Sequence, residues 1–165
     1  MKKSIKLLAG LVCALLLGVF LTACGGAPNL TIDRAGITNV VATANVQENE
    51  IGQITEPGFS GQNLPSFTAT LTKGTIDYSH VRILVDTDES IQIIAKDTNN
   101  NYYNVVKSGW GPAEGFELAD TATTTFYVVA STPGNYAVTS KVIDVSNNDA
   151  VLVFRTEMIN VVEAE

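Results

Sequence analysis

The sequence predicts an all-β fold, an antiparallel sandwich, and three observations carry that prediction. Beyond residue 65, short segments alternate apolar and polar residues, the period-two signature of strands with one face buried. Clusters such as Asp97-Thr98-Asn99-Asn100-Asn101, Thr132-Pro133-Gly134-Asn135 and Ser146-Asn147-Asn148-Asp149 separate them with residues that tolerate tight turns. No segment after the N-terminal region keeps a 3.6-residue apolar period. About seven or eight short strands within about 100 residues point to a sandwich rather than a barrel.

The chain begins differently. Lys2, Lys3 and Lys6 precede an apolar run from Leu7 to Leu21, which ends in Leu21-Thr22-Ala23-Cys24. That order is the one a secretory signal requires, and the tetrapeptide resembles the lipobox of bacterial lipoprotein precursors. The resemblance implies cleavage before Cys24 and attachment of a diacylglyceryl group to its thiol, with palmitate-like chains entering the cell membrane. Each buried methylene contributes about 0.8 kcal/mol, so two or more chains anchor stably. An uncleaved transmembrane helix would need about 20 mostly apolar residues, and Gly10, Gly18, Thr22 and Cys24-Gly25-Gly26-Ala27-Pro28 interrupt this run. Gly25 carries no aspartate-type retention signal, which in a two-membrane host implies the outer membrane.

Removing residues 1–23 from a chain of 165 leaves 142, enough for one domain with a sizeable core. Three of the 10 basic residues leave with the signal, so seven face 17 acidic ones, a net charge of −10. Such a surface repels phosphate backbones, which disfavours nucleic acid, and leaves the lipid as the expected membrane contact. Cys13 departs with the signal and the Cys24 sulfur is committed to lipid, so no disulfide, thiolate metal site or cysteine catalysis is expected. No cofactor is expected beyond that covalent lipid.

Residues 24–36 read as the lipidated cysteine and a tether, and 37–165 as the sandwich, with its core in 66–162. Ile37 to Val46 reads as a strand. Gln47 to Leu64 reads as a long loop that either crosses between two sheets or hides an element. Phe67, Ala69 and Leu71 then alternate with threonines; Val81, Ile83 and Val85 with Arg82 and Leu84; Ile91, Ile93 and Ala95 with Gln92, Ile94 and Lys96. After the Asp97–Asn101 hairpin connection, Tyr102 to Lys107 returns as a strand. Thr123–Ala130, Tyr136–Val145 and Ala150–Val162 complete the set; no residue from Thr121 to Ser140 is charged, as central strands require.

At Pro133-Gly134-Asn135-Tyr136 the chain resembles the turn into the sixth strand of immunoglobulin-like domains, where a tyrosine hydroxyl caps nearby backbone. Tyr78-Ser79-His80-Val81-Arg82 and Trp110-Gly111-Pro112 with Gly115-Phe116 also look like segments of bacterial surface immunoglobulin-like domains. The resemblance spans residues 66 to 162 and implies an immunoglobulin-like antiparallel β-sandwich, without the disulfide pair or third-strand tryptophan of antibody domains. It carries over no catalytic or binding residue.

Candidate chemistry is sparse. Asp77-Tyr78-Ser79-His80 holds the single histidine, but neighbours in an extended strand point to opposite faces, so no triad is expected there. Asp86, Asp88 and Asp97 are calcium candidates in oxygen-rich turns, although the Asp97 stretch lacks the glycine and distant glutamate of an EF-hand. Glu114 with Glu117 is the one loop pair of carboxylates for glycoside hydrolysis. The loop from Ser108 to Leu118 is the most distinctive, with Trp110 and Phe116, and Tyr102 and Tyr103 lead into it. Either these aromatics plug the end of the sandwich, or they stand exposed as a binding surface; alternation should bury one tyrosine of the pair and expose the other.

The expected function is therefore a non-enzymatic, lipid-anchored binding or structural module of the bacterial envelope. It is exported and faces the cell exterior or periplasm, where it meets an unidentified envelope protein or polysaccharide. Two alternatives are a carbohydrate-binding module using the loop aromatics and an exported protease inhibitor.

Overall fold

The computed structural model describes residues 26–34, 39–72, 74–75, 77–111 and 121–164. Within them the strands are β1 (Asn29–Asp33), β2 (Val40–Val41), β3 (Ser66–Thr72), β4 (Val81–Asp86) and β5 (Ile91–Lys96), followed by β6 (Tyr102–Asn104), β7 (Thr121–Ala130), β8 (Gly134–Asp144) and β9 (Ala150–Val162). One sheet has the order β1-β3-β7-β5-β6, the other β2-β9-β8-β4. Every strand pairing is antiparallel except β2 with β9, which run parallel.

The two sheets enclose one core, because the period-two pattern aims alternate side chains at the same interior. Phe67, Ala69 and Leu71 of β3, with Phe126, Val128 and Ala130 of β7, meet Val81, Ile83 and Val85 of β4 and Val138 and Val142 of β8. The fold is thus a two-sheet, all-β sandwich.

Three expectations need correction. The first is the tether: Asn29–Asp33 is a strand paired with β3, and Leu30 is fully buried. The sandwich therefore starts at Asn29 rather than at residue 37; Leu30 and Ile32 do alternate with polar neighbours, but over a run too short to stand out. Even Gly26 is docked, its carbonyl accepting from the Thr75 amide at 3.2 Å. A Cβ on Gly74, which has φ +61, would lie 2.0 Å from that carbonyl oxygen, so this close approach needs glycine.

The second concerns residues 37–65. Among the described residues, which here begin at Asn39, only Val40–Val41 pairs as a strand before the chain changes sheets: the Ala42 amide bonds Val162 O in one sheet, and the Thr43 amide bonds Ala130 O in the other. Gln53 bridges Tyr103 at the open edge of β6, and Pro65 O accepts from the Val128 amide just before β3. The segment is a crossover that covers the outer face of the five-stranded sheet. That cover explains why Ile91 to Ala95 are all buried, although their alternation predicted one wet face. Gln92 points outward at 4% exposure and grips the crossover, accepting from the Val46 amide at 2.8 Å and donating to Val46 O at 3.0 Å.

The third is local. β6 stops at Asn104, whose side-chain oxygen accepts from the Val106 amide at 3.2 Å and caps a single helical turn, α1 (Val105–Ser108). One turn is too short to display a period.

Candidate functional site

Trp110 follows α1 directly. Its backbone exchanges hydrogen bonds with Ile83 of β4, donating to Ile83 O at 2.8 Å and accepting from the Ile83 amide at 2.6 Å. This isolated bridge pulls the indole between the sheets, where it is 2% exposed and stands edge-on to Phe126, ring centres 5.6 Å apart. Trp110 is thus a core residue of this structure rather than an exposed platform. Gly111 beside it is buried, and a Cβ there would lie 2.7 Å from Val81 O, so the approach of this loop to β4 depends on glycine. Phe116, Glu114 and Glu117 lie outside the described residues.

Tyr102 and Tyr103 do point to opposite faces, yet both are half-buried, because the crossover covers the face that alternation would leave wet. Tyr103 packs on the core between the sheets. Tyr102 lies on the outer face, 5.0 Å from the Phe59 ring and 6.1 Å from the Tyr127 ring, with Lys96 Nζ 5.6 Å from its centre. Gly61 passes so close to Tyr127 that a Cβ would meet the ring at 2.7 Å. This outer cluster of Phe59, Tyr102 and Tyr127 seals the crossover against the sheet. Trp110 therefore belongs to a different layer from Tyr102, and the described candidates Trp110, Tyr102 and Tyr103 do not converge on one surface.

The calcium candidates separate as well. Asp86 ends β4 and Asp88 precedes β5, whereas Asp97 follows β5, so the six residues of that strand, about 20 Å, divide them. Each carboxylate already has local partners. Asp86 forms an ion pair with Lys141. Asp88 accepts from the Ser90 amide and hydroxyl, at 2.9 and 2.7 Å, and these bonds hold its carboxyl below its ordinary value. Asp97 accepts from the amides of Asn99 and Asn101 and from the Asn101 side chain. Among the described residues, no group of three or more His, Cys, Asp and Glu side chains is placed to hold a metal ion.

After Asp77, Tyr78–His80 forms a 3₁₀ turn into β4 rather than an extended strand. Asp77 accepts from the Ser79 amide at 3.0 Å and lies 3.9 Å from His80 Nε2, which is turn chemistry at an exposed corner.

Sequence reasoning missed the most apolar exposed surface. On the outer face of the four-stranded sheet, Phe154 is 59% and Met158 50% exposed, with Val151 also exposed. The signal was present in the alternation of Phe154, Thr156 and Met158 with Arg155 and Glu157. Which face would stay uncovered depends on the sheet order.

Cys24 lies outside the described residues, and no helix among those described is long and apolar enough to cross a membrane. Searches against protein-family models and curated proteins find no match to this sequence.

Proposed function

We propose that the chain is a lipid-anchored, non-enzymatic module of the bacterial envelope whose sandwich is immunoglobulin-like. The observation that carries the reading is the distance from Leu21-Thr22-Ala23-Cys24 to the fold: β1 starts at Asn29, five residues after Cys24. Because Gly26 is already docked, a single residue, Gly25, or two chain steps of about 3.5 Å each, separates the lipid-bearing residue from the folded body. The lipid holds the sandwich directly at the bilayer rather than on a long stalk.

Strand order supports the immunoglobulin-like part. β1, β3, β7 and β5 occupy the places of strands A, B, E and D in one sheet, and β4, β8 and β9 those of C, F and G in the other. Tyr136, near the start of β8, donates its hydroxyl to Thr132 O at 3.0 Å, the bond of a tyrosine corner. β6 is then an additional edge strand.

The test is incorporation of an alkyne-bearing fatty acid by bacteria producing the full chain. Label in the membrane fraction that disappears in Cys24→Ala supports the reading. An unlabelled parent, or label that survives Cys24→Ala, removes the anchor. Envelope extracts passed over the lipidated protein then identify what it binds; recovery of nothing above background leaves a structural rather than a binding role.

A further inference from the structure

β9 is a long strand, and among the described residues most of its outer edge is unpaired: β2 covers it at Val161 and Val162, and no described strand pairs with that edge from Ala150 to Asn160. The carbonyls of Phe154 and Met158 point off it, accepting from Arg155 Nη1 and Arg34 Nη2, as does that of Val162, which takes the Ala42 amide. Thr156 has the same parity, so its amide and carbonyl point off this edge too. An edge of this kind is a template for another strand.

We propose that the second strand comes from another copy of this chain, with β9 pairing antiparallel to its counterpart across a twofold axis at Thr156. The segment Phe154-Arg155-Thr156-Glu157-Met158 is self-complementary about its centre. In that register Phe154 opposes the partner's Met158, so the two exposed apolar side chains cover each other on the outer face. Arg155 opposes the partner's Glu157, placing opposite charges together twice over. Thr156 opposes itself. Other registers centred on this stretch lose the match; an axis at Arg155 would set two guanidiniums face to face. Because Phe154, Thr156 and Met158 all direct backbone groups off the edge, the three opposed pairs are hydrogen-bonding ones. The contact is isologous and closes as a dimer, leaving no free β9 edge to propagate.

Arg34 is the internal competitor. It pairs with Glu157 at 3.1 Å and also holds Met158 O, the groups that the partner's Arg155 and Phe154 amide would take over. Asn29 accepts from Arg155 Nη2 at 3.4 Å, so the start of β1 lies beside the axis. If Cys24 carries lipid, both anchors of the dimer emerge near one another; the pairing itself does not rest on lipidation.

The test uses the full chain in the producing bacterium. Across hydrogen-bonding antiparallel pairs the Cα atoms lie about 5.5 Å apart, within disulfide range. Thr156→Cys should therefore cross-link into a dimer under mild oxidant, and Asn135→Cys, exposed on β8, should not. Adding Arg155→Glu or Glu157→Arg to Thr156→Cys should each lower the cross-linked fraction about tenfold. Co-producing the two, one acidic at both flanking positions and the other basic at both, should restore cross-linking between differently tagged chains. Arg34→Ala should raise the yield. Unchanged melting temperatures for these variants confirm that the sandwich is intact. Absent cross-linking, equal cross-linking at Asn135→Cys, failure of the co-produced pair to recover, or capture of a different protein by Thr156→Cys would each overturn the proposal.

Discussion

Replacing Gln92 tests how much one side chain contributes to holding the crossover of residues 43–65. Gln92 is buried and makes two hydrogen bonds to Val46, one to its amide and one to its carbonyl. Gln92→Leu keeps the volume nearly constant, so no cavity term enters, but it removes both partners. A backbone group left unsatisfied costs about 1–3 kcal/mol. Val46 is half-buried and regains some water, so about 1 kcal/mol for each group, about 2 kcal/mol in total, is the reasoned figure. For a domain of this size 1 kcal/mol moves the melting temperature by about 3–4 °C, giving a fall of about 6–8 °C by circular dichroism. Gln92→Glu sharpens the test. At neutral pH it can still accept from the amide but cannot donate to the carbonyl, and it buries a charge, so it should be worse than the leucine variant. Acidification protonates it, restores the donor and should narrow the gap to the parent. A leucine variant that melts within about 1 °C of the parent would refute the argument.

Three other outcomes follow from the same geometry. Trp110 emission should be blue-shifted and resistant to iodide, and Trp110→Ala should destabilise by about 3–5 kcal/mol as a buried aromatic does; a red-shifted, quenchable signal would place the ring outside. Tyr136→Phe should cost about 1 kcal/mol by loss of the bond to Thr132 O, and an unaltered denaturation midpoint would show that this bond contributes nothing. Asp88 is held below its ordinary 3.8 by the Ser90 amide first and hydroxyl second. A depressed carboxylate stabilises above its unfolded pKa and loses that contribution as pH falls through the folded value. Asp88→Ala should therefore be less stable than the parent at neutral pH, with the difference shrinking below about pH 4; a difference that stays constant into acid would exclude the carboxylate as its source.

What could be read in advance divides along one physical line: features set by neighbours in sequence were legible, and those set by sheet order were not. The alternation in β3 and β4 depends on local periodicity, and Phe67, Ala69 and Leu71, like Val81, Ile83 and Val85, face inward as that alternation requires. The Asp97–Asn101 turn is equally local, with Asn100 at φ 68 and the Asp97 carboxylate collecting the loop amides. β5 shows where periodicity stops informing: Ile94 looks like a wet-face residue until residues 43–65, distant in sequence, are laid over it. Trp110 is similar, since its fate rests on a two-bond bridge to Ile83, 27 positions earlier, which no local pattern announces. The same distinction governs the edge of β9. Phe154-Arg155-Thr156-Glu157-Met158 is plainly a strand from its alternation, but alternation cannot say which strand lies next to it. Only the order β2-β9-β8-β4, with β2 meeting β9 at Val161 and Val162, reveals that no described strand lies beside the self-complementary stretch on that side. Any strand laid along Met158 and Thr156 would change none of those five residues, yet it would remove the surface on which they could meet a second copy.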